Sequence, residues 1–115
     1  MTLVHKNLAN GRWHELSLME QLGNIGSEVS RARNWKFKDK KIFNGAIERA
    51  LELFDLTLQD SRWIGRLKEI NRAREYFCDA VLGGKEYNST LEDVDKYFLN
   101  FAMAANIKKD KTLAS

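Results

Sequence analysis

Proline is absent from all 115 residues. With it goes the commonest interior helix breaker, so long helices are unopposed. Cysteine occurs once, as Cys78, which excludes a disulfide framework and a thiolate-built zinc site. One thiol also suits a reducing compartment. The two histidines, His5 and His14, have no partner at metal-ligand spacing, and no glutamate is followed three residues later by the histidine that di-iron bundles need. Glycine-rich phosphate loops of the Walker and dinucleotide types are missing. No apolar run nears the roughly 18 residues of a membrane span, and residues 1–6 lack a signal peptide's apolar core. The expectation is a cytoplasmic, non-enzymatic protein with no membrane contact, no metal, no cofactor and no catalytic residue.

What is present is apolar periodicity. Hydrophobic content of 43% with 30% charge fits one folded domain. Leu18, Leu22, Ile25, Val29 and Ala32 form a stripe at helical spacing. Phe43, Ile47, Ala50, Phe54 and Leu58 form a second, Trp63, Leu67, Ile70, Ala73, Phe77 and Val81 a third, and Leu91, Val94, Phe98, Phe101 and Ala105 a fourth. The spacing predicts helices over residues 13–33, 40–59, 61–82 and 90–107, with a frayed basic tail over 108–115. Asp39, and either Asp60 or Ser61, are expected caps, Gly83 and Gly84 a stop, and Ser89 with Glu92 a capping box. Short loops between four helices predict an all-α, antiparallel up-down-up-down four-helix bundle spanning residues 1–115.

Gly23, Gly26, Ser27 and Ser30 make a small-residue strip on the first helix. Glycine inside a helix costs about 1 kcal/mol against alanine, so the close approach of another helix should offset it. That neighbour is expected in the bundle, or in another subunit, where the strip would be an oligomer interface.

Net charge is only +3, but residues 31–41 alone carry six cations and one acid. Arg31, Arg33, Lys36, Lys38, Lys40 and Lys41 surround Trp35 and Phe37. Cations hold phosphates, and exposed rings give bases a face to stack on. Two arginines at a helix C-terminus would merely offset the macrodipole, which leaves the four lysines unaccounted for. The rings have a second possible use, folding back to cap the core. Arg62, Arg66, Arg72 and Arg74 are candidates to extend the footprint along the third helix, though residues six apart lie on opposite sides and not all can share one face. In the expected topology, the basic 1–2 loop lies at one pole. The 2–3 turn and both termini, with Lys6, Arg12, Lys108, Lys109 and Lys111, lie at the other.

Residues 11–29, GRWHELSLMEQLGNIGSEV, together with Arg49–Thr57 and Arg72–Glu75, resemble a family of small prokaryotic helical proteins with no assigned activity. That resemblance implies a fold and no function. Within the motif, Trp13, His14 and Glu15 read as a helix-start anchor, with a polar contact point for a partner as the sharper alternative. By architecture and charge the chain also resembles two groups of bacterial bundle proteins. These are the accessory variability proteins of diversity-generating retroelements and the proteins encoded in ribosomal RNA intervening sequences. The arginine-then-histidine motif of helical HEPN ribonucleases is absent. The expected function is a nucleic-acid-binding adaptor, for RNA more than DNA, as an accessory of a reverse-transcriptase-type ribonucleoprotein. The alternative is a homo-oligomeric interaction scaffold that touches no nucleic acid.

Overall fold

The computed structural model describes residues 12–114, and all its regular structure is helical. A 3-10 turn over Arg12–Glu15 leads into α1 (Leu18–Trp35). After a four-residue loop comes α2 (Lys40–Leu58), then a 3-10 segment over Ser61–Arg66 that runs directly into α3 (Leu67–Val81). A nine-residue loop connects to α4 (Leu91–Ala114). The four helices pack as an antiparallel bundle in which α1 lies closest to α2 and α4, while α3 stands farther from both its neighbours.

The predicted stripes supply the core. Leu18, Leu22, Ile25, Val29 and Ala32 of α1 are all buried, as are Ala50 and Phe54 of α2, Ile70, Ala73 and Phe77 of α3, and Leu91, Val94 and Phe98 of α4. Phe54 sits at the centre, with its ring 6.1 Å from that of Phe77 and 5.8 Å, edge-on, from that of Phe98. Such pairs add about 0.5–1.5 kcal/mol each beyond the area they bury. Leu53 and Leu56 widen the buried face of α2 beyond its stripe. Ala105, assigned to the fourth stripe, has a side chain outside those described.

Several boundaries differ from expectation, each for a local reason. Residues 12–15 are not the start of α1, because Ser17 caps it instead. Ser17 Oγ accepts from Glu20 N–H and Glu20 Oε1 accepts from Ser17 N–H, both at 3.1 Å, a complete capping box. The third helix begins with a tight 3-10 turn that kinks at Trp63. The box expected at Ser89 and Glu92 does not form. Thr90 Oγ1 accepts from Asp93 N–H at 3.2 Å and caps α4, while Ser89 turns back to Asp79 at 2.6 Å. The helix then continues to Ala114, through most of the expected tail. Asp39 caps α2 as expected, accepting from Lys41 and Ile42 N–H.

The glycine strip has its close neighbour in the same chain. A Cβ on Gly26 would lie 2.8 Å from Phe98 Cβ on α4. One turn on, Ser30 donates to the Asp95 carboxylate, which also holds Arg33 Nη1 at 2.8 Å. Gly26 and Ser30 therefore face α4 of the same chain. Ser27 is exposed and Gly23 half-buried beside them.

Candidate nucleic-acid interface

The sequence from Arg31 to Lys41 crosses the end of α1, the loop and the start of α2, so its residues are presented by three different backbone settings. Arg31 and Arg33 lie on the last turns of α1, and Trp35 closes it. Asp39 Oδ1 takes up the free N–H groups of the first turn of α2, which fixes the sharp reversal between the helices. The loop between them carries its side chains outward. Phe37 is 92% exposed and Trp35 38% exposed, so neither ring closes the core. Lys36 Nζ lies 5.3 Å from the centre of the Phe37 ring, within cation–π range.

Beside this loop runs an open groove along α1 and α2, lined by Arg31, Trp35, Lys40, Lys41 and Arg49, with Glu48 its one acid. Arg31, Lys36, Lys38, Lys40 and Lys41 are exposed and form no ion pair with a described acid. Arg49 is a member the sequence pattern missed. It sits eight residues past Lys41, and only the winding of α2 returns it to the same side. Arg33 differs from its neighbours, since its guanidinium is committed to Asp95.

Arg62 and Arg66 do not join this surface. The 19 residues of α2 separate them from the loop by about 28 Å of helix. Arg66 pairs with Glu69 at 2.9 Å. Arg62 packs over the Trp63 ring at 4.4 Å and reaches Asp60 Oδ2 at 2.7 Å and Leu16 O at 2.7 Å. Both cations are held by acids of their own segment, away from the basic groove. Lys6, Lys108, Lys109 and Lys111, expected at the same pole, have side chains outside those described.

Asp60 is the hub of that second pole. Besides Arg62, it accepts from Gln21 Nε2 at 3.1 Å and lies 3.2 Å from His14 Nδ1. Its carboxyl is held far below the usual carboxylate range. The Arg62 hydrogen bond is the main cause, outweighing the cost of burial, with Gln21 assisting. Gln21 is saturated, since its Nε2 also donates to Trp13 O at 2.9 Å and its Oε1 accepts from Trp63 Nε1 at 2.9 Å. Trp13 Nε1 donates to Thr57 Oγ1 at 3.1 Å. The tryptophans of GRW and SRW thus feed one buried network, and Trp13 is the anchor of the first segment. His14 is exposed at its edge, and His5 lies outside the described residues.

Among the described residues, no group of three or more His, Cys, Asp or Glu side chains is arranged to hold a metal ion, and no helix is long and apolar enough to cross a membrane. The fold and this surface define an all-helical bundle with one basic, aromatic-tipped end. Comparison with known proteins finds no matching family, no matching curated protein and no matching solved structure.

Proposed function

We propose that this protein is a non-enzymatic nucleic-acid-binding adaptor whose contact surface is the α1–α2 end. The observation that carries the reading is Phe37, an apolar ring 92% exposed among lysines, next to a groove lined by Arg31, Trp35, Lys40, Lys41 and Arg49. Such a ring contributes nothing to the core, but it is suited to stacking on an unpaired base while the cations hold the flanking phosphates. Single-stranded RNA offers such bases more readily than a duplex, which favours RNA. An accessory role beside a reverse-transcriptase-type ribonucleoprotein is the finer form of this proposal and rests on architecture alone.

The test is a salt titration of binding to mixed-sequence single-stranded RNA and duplex DNA, with the protein's solution mass measured in the same buffer. Binding is expected to weaken steeply with salt and to vanish in the double variant Arg31→Glu, Lys38→Glu with helicity intact. Phe37→Ala should weaken RNA binding about tenfold, the loss of one stacked base, without changing the melting temperature. No binding at low salt overturns the proposal.

A homo-oligomeric scaffold is the second reading. Leu99 and Met103 favour it, exposed one turn apart on α4 with Leu99 beside Gly23 and Ser27. Under that reading the solution mass is a multiple of 13.3 kDa and falls in Leu99→Lys.

A further inference from the structure

The long loop between α3 and α4 is more firmly built than a connection needs to be. The Asp79 carboxylate, near the end of α3, accepts from the N–H groups of Glu86 at 2.9 Å, Tyr87 at 3.1 Å and Ser89 at 3.3 Å. Gly84, at φ +75°, passes so close to the returning chain that a Cβ would meet Ser89 O at 2.6 Å. The result of this clamp is to set Tyr87 against Tyr76 of α3, with ring centres 4.9 Å apart and planes at 65°. Tyr87 Oη donates to Glu75 Oε2 at 3.1 Å, which fixes the ring at its far end as well. Across the cleft, Tyr97 of α4 is held edge-on by Phe98 at 5.4 Å and Phe101 at 5.1 Å.

Three tyrosines from three elements thus wall a half-open cavity of about 270 Å³, with Ala73, Asn88, Ser89, Asp93 and Val94 between them. No lysine or arginine lines it. Charges of both signs surround it, with Glu69, Glu75 and Glu86 raising the phenol pKa values and Arg66 and Arg72 opposing them. Glu75 raises the pKa of the Tyr87 phenol through their hydrogen bond, and partial burial, then Glu69, raise that of Tyr97. Both phenols are therefore neutral around pH 7.

We infer that this cleft binds an alkylated ammonium group, held against the faces of Tyr76, Tyr87 and Tyr97 with Asp93 as the counter-charge. Ring faces attract cations through the quadrupole, and the attraction grows when the cation is desolvated. A bare ammonium is strongly hydrated, whereas methyl groups spread the charge and give the rings an apolar surface to pack on. At about 270 Å³ the cavity is smaller than the roughly 300 Å³ at which drug-sized pockets begin. It has room for one headgroup or one side-chain terminus. Because the loop is clamped by Asp79, little ordering is required on binding. The site shares no lining residue with the basic groove and does not depend on the nucleic-acid reading.

The experiment is an aromatic NMR titration of the full chain with choline, with its uncharged carbon isostere 3,3-dimethylbutanol, and with a peptide carrying trimethyllysine. Choline or the peptide is expected to shift the Tyr76, Tyr87 and Tyr97 ring signals to saturation, with the isostere about tenfold weaker or worse. Tyr97→Leu should weaken binding about tenfold, while Tyr97→Phe, which keeps the ring face, retains it. The helical circular dichroism of each variant confirms that it is folded. Tighter binding of the peptide marks a modified protein side chain as the source, tighter binding of choline marks a free headgroup, and either supports the site. An equal response to the uncharged isostere, or no response of these rings to either cation, overturns it.

Discussion

Two glycines and one carboxylate show how differently single residues bear on this molecule. Gly26 meets Phe98 Cβ, an atom fixed to the α4 backbone, whereas Gly65 has nothing within 4 Å of the position a Cβ would take. Alanine at 26 gains about 1 kcal/mol of helix propensity but incurs about 1–3 kcal/mol of overpacking. Gly26→Ala should therefore lower the melting temperature, and Gly65→Ala should raise it slightly, by about 0.5 kcal/mol of stability. Asp60 governs pH dependence. Its folded pKa lies below the unfolded value of about 3.9, so its contribution is complete above that value and is lost as pH falls below it. Asp79 acts in the same sense, through the Ser89 hydroxyl first and then the Glu86 amide. Urea midpoints should fall on acidification below about pH 4, and Asp60→Asn should flatten that fall while lowering stability at neutral pH. The importance of Gln21 was not legible in the sequence. A polar residue beside an apolar stripe looks like an exposed flank, and only the approach of Trp13, Asp60 and Trp63 from three segments makes it a buried partner.

Helix identity was legible from periodicity, because each stripe is a one-dimensional pattern that any helical packing must bury. Helix ends were less so. Ser17–Glu20 and Ser89–Glu92 carry the same capping pattern, yet only the first forms. The difference is tertiary, since Ser89 lies within reach of a buried carboxylate and Ser17 does not. Trp13 misled in the opposite direction. The expected first helix begins at Trp13, but this residue reaches the core from a 3-10 turn outside the helix. Ser17→Ala should therefore cost about 1 kcal/mol of stability by fraying α1. Thr90→Ala should do the same to α4. Ser89→Ala should instead loosen the 3–4 loop, seen as faster amide exchange at Glu86 and Tyr87 with α4 unaffected.

At the scale of the whole molecule, the two poles have different roles, a distinction that charge counting could not draw. Residues 31–41 were legible as a basic segment because their charges are contiguous. Arg62 and Arg66 looked alike in sequence but are neutralised by Asp60 and Glu69. If the free cations of the α1–α2 end hold about four or five phosphates of a single strand, log affinity should fall against log salt with a slope of about −3 to −3.5. Arg66→Glu should leave that slope unchanged. The Asp60 hub has a consequence for the order in which the fold comes apart. It links Leu16 and Gln21 to the far end of α2, across 39 to 46 residues of chain, and so buckles the α1–α2 hairpin at its open end. A hairpin closed by a turn at one end and a clasp at the other has no free end from which to unzip. With α3 standing off from its neighbours, the last unit to exchange its amides with solvent should be α1 with α2, and the first helix to open should be α3.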